Sequence, residues 1–338
     1  MTTTPQTLHL TARCPEDLLA MAPVVLGFWP HDSVVMMTFG ARRAFHARLP
    51  LPDPAELDAG LLLQVEESLL GPAEHHGVQA VVLLYYSDDP HVAGAVHRAL
   101  VAGCRARGIG LVTAIAADGA EFALLDLDGE PGPRTPYDVT AHPFVVQGIV
   151  AGRTTHPSRE HMVDSIQVDE AAAVPVLAAL GDGGWLDTDP PSGARAVRRH
   201  GNWVVATVRR AVDTGELLAP AEVARLLWAL QVPRIRDAAW SVLEHRTAVE
   251  HVRFWTQVLR RTPDQLAAAP AVLLGLAAWQ SGDGALAWAA VDRCRRADPH
   301  CRLADLLAGL LEGAVAPEDG GWEVDWTLGL PPEATSAH

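Results

Sequence analysis

The chain has no lysine, so arginine supplies all of its full-time positive charge. That absence excludes a phosphate-cradling glycine loop closed by a lysine, and it points to a high-GC genome. Positive charge of any kind is short: 26 arginines face 41 acidic residues, for a net charge of -15. A nucleic-acid or anionic-membrane partner calls for a basic face, so neither is expected. Cysteine is scarce too. Cys14, Cys104, Cys294 and Cys301 form no Cys-x-x-Cys and fit no zinc spacing. Scattered single cysteines fit a reducing cytosol, and a cytoplasmic location is expected. The opening MTTTPQTLHL lacks a basic region before an apolar core, so no secretory signal is predicted. No lipidation motif, Gly-x-Ser-x-Gly elbow or His-Glu-x-x-His pair occurs. The 15 histidines are dispersed, and neither a metal nor another cofactor is predicted. The one long uncharged run, Gln265–Gly282, is alanine-rich and holds Pro270 and Gly275. It reads as a buried helix rather than a membrane span.

Of the 338 residues 49% are apolar, enough for two domains with sizeable cores. Strand signals fill the first part. Thr7–Leu10 reads as a short strand. Ser33–Phe39 and Ala44–Leu49 form a hairpin across Gly40-Ala41-Arg42-Arg43. Ala55–Leu70 follows as a helix, which Gly71-Pro72 is expected to stop or bend. Val78–Tyr86 is apolar on both faces and belongs mid-sheet. Asp89 caps a helix that starts at Pro90 and ends at Gly108, and Gly110–Ala117 is the next strand. Strand, helix, strand makes a βαβ unit with parallel strands. Asp118-Gly119 turns the chain into Glu121–Leu127, and Asp128–Pro143 is a Gly/Pro-rich connection. The expected fold is therefore α/β: a mixed sheet with a βαβ unit over residues 1–143, followed by an α-helical domain over 144–330. Helices in the latter are predicted at Glu170–Leu180, Ala194–Asp213, Pro220–Leu230, Arg234–His245, Val249–Arg260, Asp264–Gln280, Ala285–Ala297 and Leu303–Glu312. Nine of the ten tryptophans lie from Trp185 onward and should pack this half.

The most distinctive stretch is Asp17–Phe39, DLLAMAPVVLGFWPHDSVVMMTF. Leu18, Leu19 and Val24–Leu26 suit a short helix begun near Pro15, and Pro23 argues that the helix is short or broken there. Gly27 marks a bend, Trp29-Pro30 an extended pair, and Val34–Met37 a buried strand. This stretch resembles the signature of an actinobacterial family known only as domain-of-unknown-function family 4192, in its Leu-Leu-Ala, Leu-Gly-Phe, Pro and Asp-Ser-Val elements. Ser158-Arg159-Glu160 and Ala277–Pro299, AAWQSGDGALAWAAVDRCRRADP, are similar as well. Many members place an Arg-Trp pair and clustered cysteines after the third strand. Here that place reads DGAEFALLDLDGEPGPRTPYD, without cysteine. The resemblance implies an architecture and no activity. Gly282, Ala287, Val291, Cys294 and Pro299 also resemble one tetratricopeptide hairpin, within residues 264–312.

Three places could carry chemistry. Trp29, His31, Asp32 and Ser33 lie at the bend before the first strong strand, where Asp32 and Ser33 would equally tie off a turn. Asp88 lies at the carboxyl end of a parallel strand, where open α/β sheets bind ligands, beside Tyr85, Tyr86, Ser87 and Asp89, with Asp118 at the next strand end. Arg153 and Arg159 flank a helix start that could hold an anion. Two functions follow. One is a non-enzymatic, cytosolic binding or regulatory protein that contacts a protein partner through its helical domain. The other is a small-molecule enzyme or a nucleotide- or metal-binding sensor working at the strand ends.

Overall fold

The computed structural model describes residues 10–42, 45–151, 153–186, 188–317 and 324–331. Of the first expected strand, residues 7–9 lie outside the described part, as do Arg43 and Ala44 of the expected hairpin. The signature begins as helix α1 (Pro15–Leu26), with Pro15 in the first turn, where a missing N–H costs nothing. The Asp17 carboxylate accepts from the backbone N–H of Arg13 at 2.6 Å and of Cys14 at 3.3 Å, which caps the helix start. Contrary to the expectation of a break, α1 runs straight through Pro23. An interior proline costs roughly 3 kcal/mol, but Leu18–Val24 and Leu26 are all buried. Each large apolar side chain so covered contributes about 1.5–3 kcal/mol. Gly27, at φ 75°, ends the helix and donates to the Pro23 carbonyl at 3.0 Å.

The extended pair then finds a distant partner. Trp29 N–H donates to the His156 carbonyl at 3.0 Å, and His156 N–H to the Gly27 carbonyl at 2.8 Å. Asp32 follows at φ 40°, a left-handed conformation that aspartate tolerates better than most residues.

Six strands form one sheet: β1 (Ser33–Phe39), β2 (His46–Pro50), β3 (Ala80–Tyr86), β4 (Gly110–Ala117), β5 (Glu121–Leu124) and β6 (Thr135–Pro136). Their order is β2-β1-β3-β4-β5-β6. Only β3 and β4 run parallel, and the other neighbours are antiparallel. Helix α2 (Ala59–His75) continues through Gly71-Pro72 without the stop that was one expectation there. Leu69, Leu70 and Ala73 on either side of that pair are buried in the core, so tertiary packing again outweighs the local break. Helix α3 (Pro90–Arg107) starts on the Asp89 carboxylate, which accepts from His91 and Val92, and ends at Gly108. Val81, Leu83 and Tyr85 of β3 face Leu69 and Leu70 of α2 and Val96 and Leu100 of α3 in one core. Val82 and Leu84 on the opposite face are buried as well. Helix α4 (Pro143–Val150) packs on α1, with Gly148 set against Val24.

After Pro136 the described residues hold no further strand. Nine more helices follow: α5 (Arg159–Asp164), α6 (Glu170–Asp182), α7 (Ala194–Thr214), α8 (Pro220–Ala229), α9 (Pro233–Trp240), α10 (Ala248–Arg260), α11 (Ala268–Gln280), α12 (Gly284–Ala297) and α13 (Arg302–Glu312). The uncharged run is helix α11, buried from Ala269 through Trp279 and packed against α10 and α12. No described helix is long and apolar enough to cross a membrane. Trp228, Trp255, Trp279 and Trp326 are buried in this half. The chain divides into two compact units, Met1–His161 with Glu312–Ala314, and Met162–Leu311 with Val315–His338.

Candidate functional site

Strand direction decides what meets at the sheet edge. The parallel strands β3 and β4 end side by side, with Tyr86 opposite Ala117. Strand β1 runs the other way and starts there, with Ser33 opposite Tyr86. The bend that precedes β1 is therefore delivered to the carboxyl ends of β3 and β4. Ser87 N–H donates to the Ala117 carbonyl at 3.0 Å, which turns the chain outward into Asp88. Between these segments lies a cleft of about 540 Å³, within the size range of small-molecule sites.

Seven of the residues singled out from sequence line it together: Trp29, His31, Asp32, Tyr86, Ser87, Asp88 and Asp118. Ser33 is not on its wall. That side chain is fully buried opposite Tyr86, and its hydroxyl has no hydrogen-bond partner among the described residues. Arg153 and Arg159 are absent from the lining. Arg153 donates its N–H to the Gly148 carbonyl behind α4, and its charge is felt by His46. Arg159 opens α5, and its charge is felt by Arg48. The Ser158 hydroxyl accepts from the His161 N–H at 3.3 Å and so caps α5, as its position in the sequence suggests.

The carboxylates of the cleft divide into two kinds. Asp118 accepts from the N–H groups of Glu121 at 2.8 Å and Ala120 at 3.0 Å and pairs with Arg134. Those backbone donors, then Arg134, hold its pKa down to about 2. Asp138 accepts from the N–H and hydroxyl of Thr140, which lower its pKa. Both shape turns. Asp88 is exposed and has no hydrogen bond or ion pair among the described residues. Asp32 lies near Arg48, whose charge it favours. No arginine lies on the cleft wall.

Tyr86 adds a different feature. It is 7% exposed, and its buried hydroxyl lacks a partner among the described residues. Burial pushes its pKa well up, so the group stays a neutral donor. A buried hydroxyl without a partner costs on the order of 1–3 kcal/mol, and at a cleft wall a ligand can supply the missing bond. Among the described residues no group of three His, Cys, Asp or Glu side chains could hold a metal ion.

The far wall was not legible beforehand. Tyr137, Asp138 and Thr140 come from the stretch that reads as a connection. Pairing of Thr135 with Phe122, and of the Tyr137 N–H with the Ala120 carbonyl, folds that stretch back beside β5. Thr155 arrives through the His156 bridge to Phe28. The Asp-x-Thr turn at 138–140 was the available local signal, and it marks a turn without locating it.

The family model described as Domain of unknown function (DUF4192) matches residues 15–318. The chain belongs to the DUF4192 family. No curated protein and no solved structure matches it. The DUF4192 match takes in every cleft residue from Leu19 to Pro157 and the helices through α13.

Proposed function

We propose that this DUF4192 chain is a cytoplasmic, non-enzymatic regulatory protein whose α/β unit binds a small organic cation at the carboxyl edge of β3 and β4. One observation carries the reading: Trp29, His31, Asp32 and Asp88 converge on a cleft with Tyr86 on its wall, the buried hydroxyl of which has no partner among the described residues. The Trp29 ring attracts a cation through its π face. Asp88 offers an uncommitted carboxylate, and the Tyr86 hydroxyl offers a hydrogen bond. An anionic nucleotide would instead meet Asp32, Asp88 and Asp118 with no arginine on the wall, which weighs against the nucleotide-sensor alternative. Four free cysteines support the cytoplasmic location. The lysine-free composition supports an actinobacterial, high-GC origin.

The test is the heat-unfolding midpoint of the full chain with alkyl and aromatic amines, nucleotides and divalent cations. An amine at 100 times its Kd stabilises the native state by about 2.7 kcal/mol. Asp88→Asn and Trp29→Ala should each abolish the rise. A rise with nucleotides or Mg²⁺ alone would replace this reading with the sensor or enzyme alternative.

A protein partner for the helical unit is the second reading. It rests on the close approach of α11 to its neighbours at Gly275, where an added Cβ would lie 2.8 Å from Leu307 and 3.4 Å from Ala290. Small residues at such crossings support a tetratricopeptide-like hairpin over 264–312, a type used for protein contacts. A pull-down from native lysate that recovers no partner, under conditions that preserve complexes, would remove this reading and leave the cleft untouched.

A further inference from the structure

Two of the four cysteines meet where the helical hairpin hands over to the last helix. Cys294 is in the last turn of α12, and Cys301 sits immediately before α13. Backbone bonds fix the turn between them, Asp298 N–H donating to the Cys294 carbonyl at 2.8 Å and Cys301 N–H to the Asp298 carbonyl at 3.3 Å, and each thiol is the first influence on the other's ionisation. Cys294 is fully buried, whereas Cys301 is flanked by exposed residues at 298–300 and 302 and keeps 5% of its own surface. Position 301 is the cap of α13: its carbonyl accepts from Ala304 N–H at 2.9 Å and Asp305 N–H at 3.2 Å. Arg236 of α9 reaches the Cys301 sulfur, with Nη1 3.9 Å from Sγ.

These contacts are unequal in a way that assigns roles. The positive end of α13, the Arg236 guanidinium and the Cys294 S–H all favour negative charge on the Cys301 sulfur. Cys294 has burial and the nearby Asp298 carboxylate against ionisation. We propose that Cys294 and Cys301 form a peroxide-reactive dithiol, with Cys301 as the attacking thiolate and Cys294 as the resolving thiol. The Cys301 pKa agrees: the Cys294 thiol holds it below the usual thiol range against burial, helped by Arg236. In turn Cys301 and burial push Cys294 up. Cys104 supplies the contrast inside the same chain. It is buried without such donors, and burial pushes it up to about 11.

The chemistry balances with hydrogen peroxide as oxidant. The Cys301 thiolate attacks one peroxide oxygen, the O–O bond breaks, and the departing hydroxide takes a proton to become water. Sulfur has lost two electrons and is a sulfenic acid. The Cys294 sulfur then displaces the sulfenic hydroxyl, its own proton leaving with that group as a second water. The sum is two thiols and one peroxide giving one disulfide and two waters. The thiolate beside Arg236 disappears in the process, so oxidation removes a charge contact between α9 and the start of α13.

The experiment treats the full chain with hydrogen peroxide and maps its cysteine peptides by mass spectrometry. The expected product is a Cys294–Cys301 cross-linked peptide, with Cys14 and Cys104 still reduced. Cys294→Ser should stop at a Cys301 sulfenic acid trapped by dimedone, and Cys301→Ser should give neither product. A second measurement needs no cysteine variant. Iodoacetamide at neutral pH should label Cys301 at least about tenfold faster than Cys104, and Arg236→Gln should shrink that ratio. Oxidation confined to Cys14, or Cys301 labelling no faster than Cys104, overturns the proposal.

Discussion

Each half of this DUF4192 chain buries a histidine, and the two halves treat it differently. In the α/β unit His97 is fully buried with both ring nitrogens engaged, Nδ1 3.3 Å from the Tyr85 hydroxyl and Nε2 2.8 Å from the Asp126 carbonyl. In the helical unit His251 is as deeply buried, yet its Nδ1 has no partner among the described residues. The ion pairs of two arginines differ in the same direction, although Arg48 of the α/β unit also buries an unpartnered Nε. Arg107 of α3 is held by Glu66 at 2.6 Å and Glu67 at 2.7 Å of α2. Arg293 of α12 is 2% exposed, with Nε and Nη1 unpartnered and Asp264 only at 3.6 Å. In the α/β unit, by contrast, the hydroxyl of Tyr86, a residue of the cleft wall, lacks a partner among the described residues. A polar atom without a partner beside a cavity reads as half of a binding site. The same atom inside packed helices reads as a stability cost.

The largest effect expected from this contrast is acid sensitivity of the helical unit. Burial lowers the His251 pKa to about 4. The unfolded chain therefore takes up a proton near pH 6.5, while the native state stays neutral until about pH 4. Stability from this group is full above pH 6.5 and is lost as pH falls toward 4, in total about 3 kcal/mol. Urea unfolding at pH 7 and pH 4.5, followed by tryptophan fluorescence, should show this drop, and His251→Gln should flatten it. An unchanged pH slope in that variant would erase the distinction between the two histidines.

Next in size is the close approach of α7 to the tail. A Cβ at Gly201 would collide with the Trp326 ring. Trp326 is rigid and buried, so Gly201→Val must push the ring out, at a cost of roughly 2 kcal/mol. A urea midpoint equal to wild type would mean that the tail does not rely on this contact.

How much of this was readable in advance follows from which signals are local. Helix α7 was expected at Ala194–Asp213 and occurs at Ala194–Thr214, because apolar spacing and the Gly215 stop are written in the sequence. The cap at Asp89 and the turn at Asp118 were legible for the same reason. Neither Pro23 nor Gly71-Pro72 ends its helix, because the burial that carries each helix past it comes from distant segments. The cleft was half legible. The rule for parallel strand ends singles out Asp88, and the bend before β1 singles out Trp29, His31 and Asp32. Tyr137, Thr140 and Thr155 required the β6 pairing and the Phe28–His156 bridge, which no spacing encodes. The Cys294–Cys301 contact spans a helix end and a turn, so it matches no cysteine motif.

Arg293 offers a smaller effect of opposite sign. Replacing a poorly paired buried ion with an apolar side chain of similar reach is often stabilising, by about 1–2 kcal/mol at a site like this. Arg293→Met should raise the urea midpoint, most clearly at neutral pH. A lower midpoint would show that the guanidinium has effective partners in solution, and the helical unit would then resemble the α/β unit.

The smallest loss expected in the free protein is at Tyr86, and it bears most directly on the cleft. Removing a buried hydroxyl that has no partner forfeits no hydrogen bond and relieves a desolvation cost, so Tyr86→Phe should leave the ligand-free chain at least as stable as wild type. Binding should respond differently. An ammonium group that donates to the hydroxyl oxygen would lose about tenfold in affinity, equivalent to about 1.4 kcal/mol. Ser33→Ala provides the control, since that hydroxyl is equally partnerless but lies off the cleft wall, and it should lower neither stability nor affinity. Loss of more than about 1 kcal/mol from the free Tyr86→Phe chain would mean that the hydroxyl is already bonded within the fold, and the difference between an orphan that awaits a ligand and one that merely costs stability would no longer separate the two halves.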